Sequence, residues 1–340
     1  MGATGAVVLR REQVLAHRVR AQELDRPRRA VAGSALAVTA LGIVDVPHPA
    51  AATALAVRGG HADDALALVW GARGAPALHR RAELQALADA LWPRSDADAT
   101  RRLANPRIAD GARLGLAAFR AVAAAVHEVL AAADGPVPKA ELSRGVTERV
   151  PCGARHVAGS VLQAAGLAGG AELVRAGRAN AFRLLPDLRV PEAAAGTDRL
   201  VRRYLHLLGP ATPADVAGCL QVSVADVRAA WPDGLAEFSV DGRRTWAPAE
   251  DAGSLTSAQP ARLVRLLPPG DPWLQARDRA ITVPAQRHRL VWRPIGAPGV
   301  LLVDGEGWQE LPARVRSALA EELDLLAAAR GARSARLTSC

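Results

Sequence analysis

Two stretches of the chain carry the same signals in the same order, and that repeat limits the fold more than any single motif. The first opens with a long Ala-rich helix, about Gly111–Ala133, halted by Asp134-Gly135-Pro136. A short helix is expected over Pro138–Thr147, then a turn at Val150–Gly153 and a second helix over Arg155–Ala165. Gly166, Gly169 and Gly170 end it, and two short strands follow, Glu172–Arg175 and Ala181–Leu185. The second stretch begins with a lead helix over Asp198–Leu208, stopped at Gly209-Pro210. Thr212 is placed to cap a helix over Pro213–Cys219, and Ser223 to cap another over Val224–Ala230. Strands over Glu237–Val240 and Arg244–Ala247 then flank Asp241-Gly242, a dipeptide suited to a tight hairpin. Helix, helix, helix, hairpin is the order of a winged helix, whose recognition helix and hairpin wing both meet DNA. One such string arises easily by chance; two in tandem do not.

The first hundred residues read as a third, less regular copy. A helix is expected over Glu12–Glu23 and a small-residue helical segment over Ala35–Ile43. The proline-bounded stretch Val44-Asp45-Val46-Pro47-His48-Pro49 comes next, then a helix over Ala50–Val57. Strands over Ala65–Trp70 and around Leu78-His79 lead into a helix over Arg81–Leu91. The last eighty residues hold β-like runs at Leu263–Leu267, Leu290–Trp292 and Val300–Val303, and a final helix over Pro312–Ala329. The fold class expected is therefore α+β, mainly α-helical, with tandem winged-helix motifs and a β-rich C-terminal segment. The expected domains are 1–110, 111–190, 191–255 and 256–340.

Composition narrows the partners. With 340 residues the chain can bury several cores, and a net charge of +9 favours an anionic partner. Lys139 is the only lysine, so arginine supplies the other 42 of 43 basic side chains. A GC-rich genome would produce such a bias, and so would a phosphate-binding surface, since guanidinium matches phosphate bidentately; only position can single out phosphate ligands. No apolar run approaches membrane-spanning length, and the N-terminus lacks the layout of a secretory signal. Cys152, Cys219 and Cys340 lie far apart and form no disulfide framework. A cytoplasmic monomer is expected.

On the winged-helix reading, the arginines placed to meet duplex DNA are Arg155 and Arg228 on recognition helices and Arg175, Arg178, Arg183, Arg243 and Arg244 on wings. Catalytic signals are sparse. Walker-type loops, GxSxG elbows and HExxH are absent, and Cys152 with His156 supplies too few ligands for zinc. No cofactor or metal is expected. His79, on a strand, reads as a half-buried polar residue. Asp45 and His48 stand out on their rigid loop: a carboxylate there could orient water or stabilise a cation, or it could cap the helix at Ala50. The few aromatics (one Tyr, three Phe, seven Trp) offer little to stack a flipped base on.

Several stretches resemble a known family. They are Leu41-Gly42-Ile43-Val44-Asp45-Val46-Pro47, Leu68-Val69-Trp70-Gly71-Ala72-Arg73-Gly74-Ala75-Pro76 and Leu266-Leu267-Pro268-Pro269-Gly270-Asp271-Pro272-Trp273-Leu274. Arg277-Asp278-Arg279, Val291-Trp292-Arg293-Pro294 and Val303-Asp304-Gly305 follow in order. Together they are similar to the winged-helix DNA-binding proteins related to the crosslink-repair glycosylases AlkZ and YcaQ, from about residue 10 to 310. The resemblance implies three tandem winged helices on a concave DNA-embracing surface, and release of alkylated or crosslinked purines without a metal. It also implies a catalytic Gln-x-Gln or Gln-x-Asp pair right after the Leu-Gly-aliphatic segment. Val44 and Val46 occupy those positions here, and valine can neither accept a hydrogen bond nor hold water. Asp45, together with His48, is the replacement the sequence offers; the alternative is a non-catalytic DNA-binding protein, regulatory or lesion-sensing.

Overall fold

The computed structural model describes residues 6–25, 30–72, 74–103, 115–150, 162–163, 165–176, 179–260, 262–293, 299–303 and 313–333. They form two compact units: one of residues 1–64, 201–216 and 232–340, the other of 65–200 and 217–231.

In the first unit, β1 (Val7–Leu9) leads into α1 (Arg11–Ala21). The two-residue strands β2 (Val31–Ala32) and β3 (Ile43–Val44) are followed by α2 (Ala50–Val57) and β4 (Gly60–His61). β2 and β4 pair in parallel. β1 adds in parallel to the later strand β10 (Leu235–Val240), which pairs antiparallel with β11 (Arg243–Pro248). Asp241 and Gly242 join β10 to β11 with φ of 48° and 75°, the doubly positive turn that matches strand twist. Leu9, Val14, Phe238, Val240, Ala247, Leu255 and Ile281 form the core beneath this sheet. A second core gathers Val19, Leu24, Val57, Leu263, Leu267, Trp273 and Leu274. Each such fully buried side chain contributes roughly 1.5–3 kcal/mol.

In the second unit, β5 (Leu66–Trp70) and β6 (Pro76–Arg80) form an antiparallel hairpin ahead of α3 (Leu84–Ala90) and α4 (Asp96–Leu103). The helix α5 (Leu116–Ala131) buries Phe119, Val122, Ala123, Val126 and Leu130, the three-and-four spacing of an apolar helix face. β7 (Val137–Pro138) precedes α6 (Lys139–Arg149), and β7, β9 (Ala179–Leu184) and β8 (Ala171–Ala176) make one antiparallel sheet. Trp70 stacks on Phe182 with ring centres 4.7 Å apart, and Trp92 meets Phe119 edge-on at 5.2 Å.

The second repeat forms locally as its residues dictate. The helix α7 (Thr197–Leu208) precedes α8 (Pro213–Leu220) and α9 (Val224–Ala229). Thr212 Oγ1 accepts the Asp215 N–H while Asp215 Oδ2 accepts the Thr212 N–H, a reciprocal capping box. Ser223 Oγ caps α9 by accepting the Asp226 N–H at 3.0 Å. In the first repeat α5, α6, β8 and β9 fall where the sequence places them; of the turn expected at Val150–Gly153 and the helix expected over Arg155–Ala165, residues 151–161 and 164 lie outside the described residues.

Three expectations need correction. The segment expected to be helical at Ala35–Ile43 is two 3-10 turns, Gly33–Ala35 and Ala37–Ala40, because Thr39 Oγ1 bonds back to the Gly33 and Leu36 carbonyls. Leu290–Trp292 is not a strand: α10 (Ala252–Thr256) and α11 (Arg279–Thr282) are followed by α12 (His288–Val291). Trp292 is drawn inward by its own Nε1–H, which donates to the Leu274 carbonyl at 3.1 Å. The C-terminal segment therefore carries less strand than expected: among its described residues only β12 (Val264–Leu267) and β13 (Val300–Val303) pair, ahead of α13 (Ala313–Ala329).

Candidate active site and nucleic-acid interface

Asp45 is held by the loop it starts. Two cis peptides, Val46–Pro47 and His48–Pro49, lie in this loop, and His48 and Ala51 both reach the Asp45 carboxylate. Asp45 is 4% exposed. Its Oδ1 accepts the Ala51 N–H at 3.0 Å, satisfying one of the free donors in the first turn of α2 and meeting the positive end of that helix. This is the capping role that the sequence left open. Its Oδ2 lies 2.7 Å from His48 Nδ1. A carboxylate only accepts, so Nδ1 carries the proton and the lone pair of a neutral ring falls to Nε2. His48 is about half exposed, so the pair joins a fixed buried carboxylate to an accessible imidazole. Val44 is half-buried, whereas Val46 is 49% exposed.

The far end of α2 is anchored as firmly. Arg58, its C-terminal capping residue, is buried and makes two bonds to Asp271, Nη1 to Oδ2 at 2.8 Å and Nη2 to Oδ1 at 2.9 Å. It also donates to the Gln22 and Ala54 carbonyls, so its donors are shared among several acceptors. Asp271 accepts the Trp273 N–H as well. Beside it Gly270, with φ of 76°, lies where an added Cβ would come within 3.1 Å of the Val44 Cβ. The Pro-Pro-Gly-Asp-Pro-Trp stretch thus braces both β3, the strand that leads into Asp45, and the helix behind it. A parallel pair joins Arg18, buried in α1, to Asp278. Sequence reading missed Arg18 and Arg58. The signal was an arginine closing the otherwise apolar run Ala50–Val57, matched by an aspartate among prolines.

The arginines singled out by sequence divide three ways. Arg155 and Arg178 lie outside the described residues. In the second unit Arg175 donates to Asn180 Oδ1 across the β8–β9 hairpin at 2.7 Å. There Arg183 shares the buried Glu172 carboxylate with Arg81, and the Glu172 hydrogen bond raises its pKa. Arg228 is exposed on α9. In the first unit Arg243 pairs with Asp215 at 3.1 Å. Arg244 pairs with Glu237 across the hairpin, 5.2 Å from the centre of the Trp246 ring, and that hydrogen bond raises its pKa. The side chains of Arg183, Arg243 and Arg244 stay about half or more exposed despite these pairings. His79, on β6, is fully buried rather than half-buried. Cys152 and His156 lie outside the described residues, among which no group of three His, Cys, Asp or Glu could hold a metal.

A family model for AlkZ-like DNA glycosylases matches residues 44–309, beginning at the valine beside Asp45. The chain belongs to the AlkZ-like DNA glycosylase family. Among curated protein sequences none matches it. Among solved structures it is similar to the Streptomyces sahachiroi DNA glycosylase AlkZ, at a TM-score of 0.78 and 19% identity over 97% of this chain and 99% of that one. At that identity the likeness speaks for the fold alone. Both positions at which the sequence resemblance expects the catalytic pair, 44 and 46, are valine. Among the described residues no helix is long and apolar enough to cross a membrane.

Proposed function

We propose that this protein binds duplex DNA and hydrolyses the N-glycosidic bond of alkylated or crosslinked purines, with the Asp45–His48 pair in place of the glutamine motif. The observation that carries this reading is the 2.7 Å contact between buried Asp45 and half-exposed His48. Alkylation leaves the purine positively charged, so the bond from sugar carbon to base nitrogen breaks with its electron pair moving onto the base. The sugar is left as an oxocarbenium ion. Water adds to that carbon and gives its proton to His48 Nε2, while Asp45 holds the ring and stabilises the imidazolium that forms. In this scheme His48 is the catalytic residue and Asp45 the positioning one, which reverses the weight that sequence gave them.

The arginine-bearing hairpins and helices support a sequence-independent grip on the phosphates. We read the two helix–helix–helix–hairpin strings as winged helices and keep 1–110, 111–190, 191–255 and 256–340 as the proposed domain bounds, in a monomeric, cytoplasmic protein. A second reading, a non-catalytic lesion-sensing or regulatory binder, is favoured by one observation: both Asp45 oxygens are already engaged and Val44 and Val46 cannot hold water.

The deciding experiment incubates duplex DNA carrying N7-alkylated guanine with protein and measures free modified base. Release is expected from wild type, none above background from His48→Ala, and a strong reduction in Asp45→Asn. The asparagine oxygen can still cap α2, but its NH2 group faces His48 Nδ1 and selects the wrong tautomer. Full release by His48→Ala overturns the site. Tight binding with no release on several adducts establishes the binder.

A further inference from the structure

We infer that the segment from Arg277 to Arg293 is a second phosphate-contacting surface for duplex DNA, centred on Arg279 held over Trp292. The inference rests on the DNA-binding reading above and goes beyond the helices and hairpins it invokes. From Arg279 to Val303 the sequence holds four arginines and a histidine and no acidic residue. Just before it, Asp278 is sealed against buried Arg18 and so does not neutralise its neighbours.

The centre of this surface is built rather than merely charged. Trp292 is fixed by its Nε1–H on the Leu274 carbonyl at 3.1 Å and by the His288 ring packed edge-on at 5.2 Å. His288 is itself anchored, Nε2–H to the Val283 carbonyl at 2.9 Å. The Arg279 guanidinium lies 4.8 Å from the centre of the Trp292 ring. No Arg279 N–H is spent on an acceptor among the described residues, which leaves the fork available to a bidentate phosphate. Among the described residues Arg277, Arg279, Arg289 and Arg293 have no acidic partner, and the buried Arg277 Nε has no hydrogen-bond acceptor. Burial and then the Arg277 charge lower the Arg279 pKa, as expected of like charges held together without a counterion. Arg11 joins the group, its Nε–H donating to the Ile281 carbonyl at 2.8 Å. Arg289 and Arg293 are exposed. Arg202 in the same unit is, by contrast, paired with Glu250. An array of unpaired, partly desolvated guanidiniums is unfavourable alone and is relieved by a polyanion.

The test titrates a fluorescein-labelled, unmodified 24-base-pair duplex with full-length protein at several salt concentrations between about 50 and 300 mM. Each phosphate contact adds roughly 0.9 to the slope of log affinity against log salt. The triple variant Arg279→Gln/Arg289→Gln/Arg293→Gln should lower that slope by about two to three and weaken binding roughly tenfold or more at 100 mM. The corresponding triple lysine variant, which keeps charge, should recover most of the slope. Should the triple variant lose its thermal transition, the exposed double variant Arg289→Gln/Arg293→Gln carries the test, with an expected drop of one to two in slope. A wild-type slope in the glutamine variants, with binding intact, overturns this surface and leaves the DNA reading standing. Absence of wild-type binding at 50 mM overturns both.

Discussion

Arg58 and Asp271, separated by 213 positions in sequence, close two parallel hydrogen bonds at 2.8 and 2.9 Å with neither side chain touching solvent. The pair fastens the end of α2 to the loop that packs on Val44, so the geometry of the Asp45–His48 site depends on a contact well behind it. A buried pair gains little over apolar replacements, but losing one partner strands the other charge.

That asymmetry gives the first expected outcome. Arg58→Met and Asp271→Leu should each lower stability by about 3–5 kcal/mol, whereas the double variant Arg58→Met/Asp271→Leu should lose clearly less than the sum. Urea denaturation of the four proteins reads this directly. Additive losses would show that the pairing is not what each side chain contributes.

Asp45 separates capping from catalysis. Asp45→Ala removes the acceptor for the Ala51 N–H and should cost about 0.5–2 kcal/mol, while Asp45→Asn should cost less because its amide oxygen can still accept. Thermal denaturation monitored by circular dichroism distinguishes the two. Equal losses would mean that the carboxylate charge at the α2 N-terminus, not the hydrogen bond, is what counts.

Gly270 tests the brace from the backbone side. Its φ of 76° disfavours any side chain, and an added Cβ would press on Val44 at 3.1 Å. Gly270→Ala should lower stability by about 1–3 kcal/mol, read as a drop in Tm, and should also slow any base release by shifting Val44 and hence the loop. A variant with unchanged Tm would show that the loop accommodates the methyl freely.

Two histidines give stability opposite pH slopes. His206 is hydrogen-bonded to Asp251 at 2.8 Å, which raises its pKa above 6.5. Its contribution is complete below about 6.5 and is lost as pH rises through the higher folded value. His17 is buried among Ser254 and the His206 carbonyl, and burial lowers its pKa. Its contribution is present above about 6.5 and is lost as pH falls toward the lower folded value. The stability gap between wild type and His206→Gln should therefore narrow as pH rises from 6 to 9. The gap for His17→Gln should narrow as pH falls from 7 to 5. Denaturant midpoints across that range check both, and a flat gap for either variant excludes that assignment.

Local signals were legible wherever a residue's immediate neighbours decide its conformation. The caps at Thr212 and Ser223, the Asp241-Gly242 hairpin and the apolar face of α5 all follow from short-range chemistry, and each forms where its residues place it. The family resemblance was readable for the same reason, since its motifs are continuous stretches of chain. Asp45 and His48 were visible as polar groups on a proline-bounded loop, but their pairing was not, because it depends on the path the loop takes in space.

Tertiary structure alone decided what depends on distant partners. β1 is a strand only because β10 offers an edge, and Trp292 leaves the strand expected of it because the Leu274 carbonyl and the Arg279 side chain hold its ring. Sequence by itself determined the order of helices and hairpins, the basic surplus and the valines at positions 44 and 46. Which arginines are spent inside on Asp271 and Asp278, and which remain unpaired toward solvent, follows only from the fold. Burying a guanidinium demands a specific carboxylate, and that partner lies hundreds of residues away.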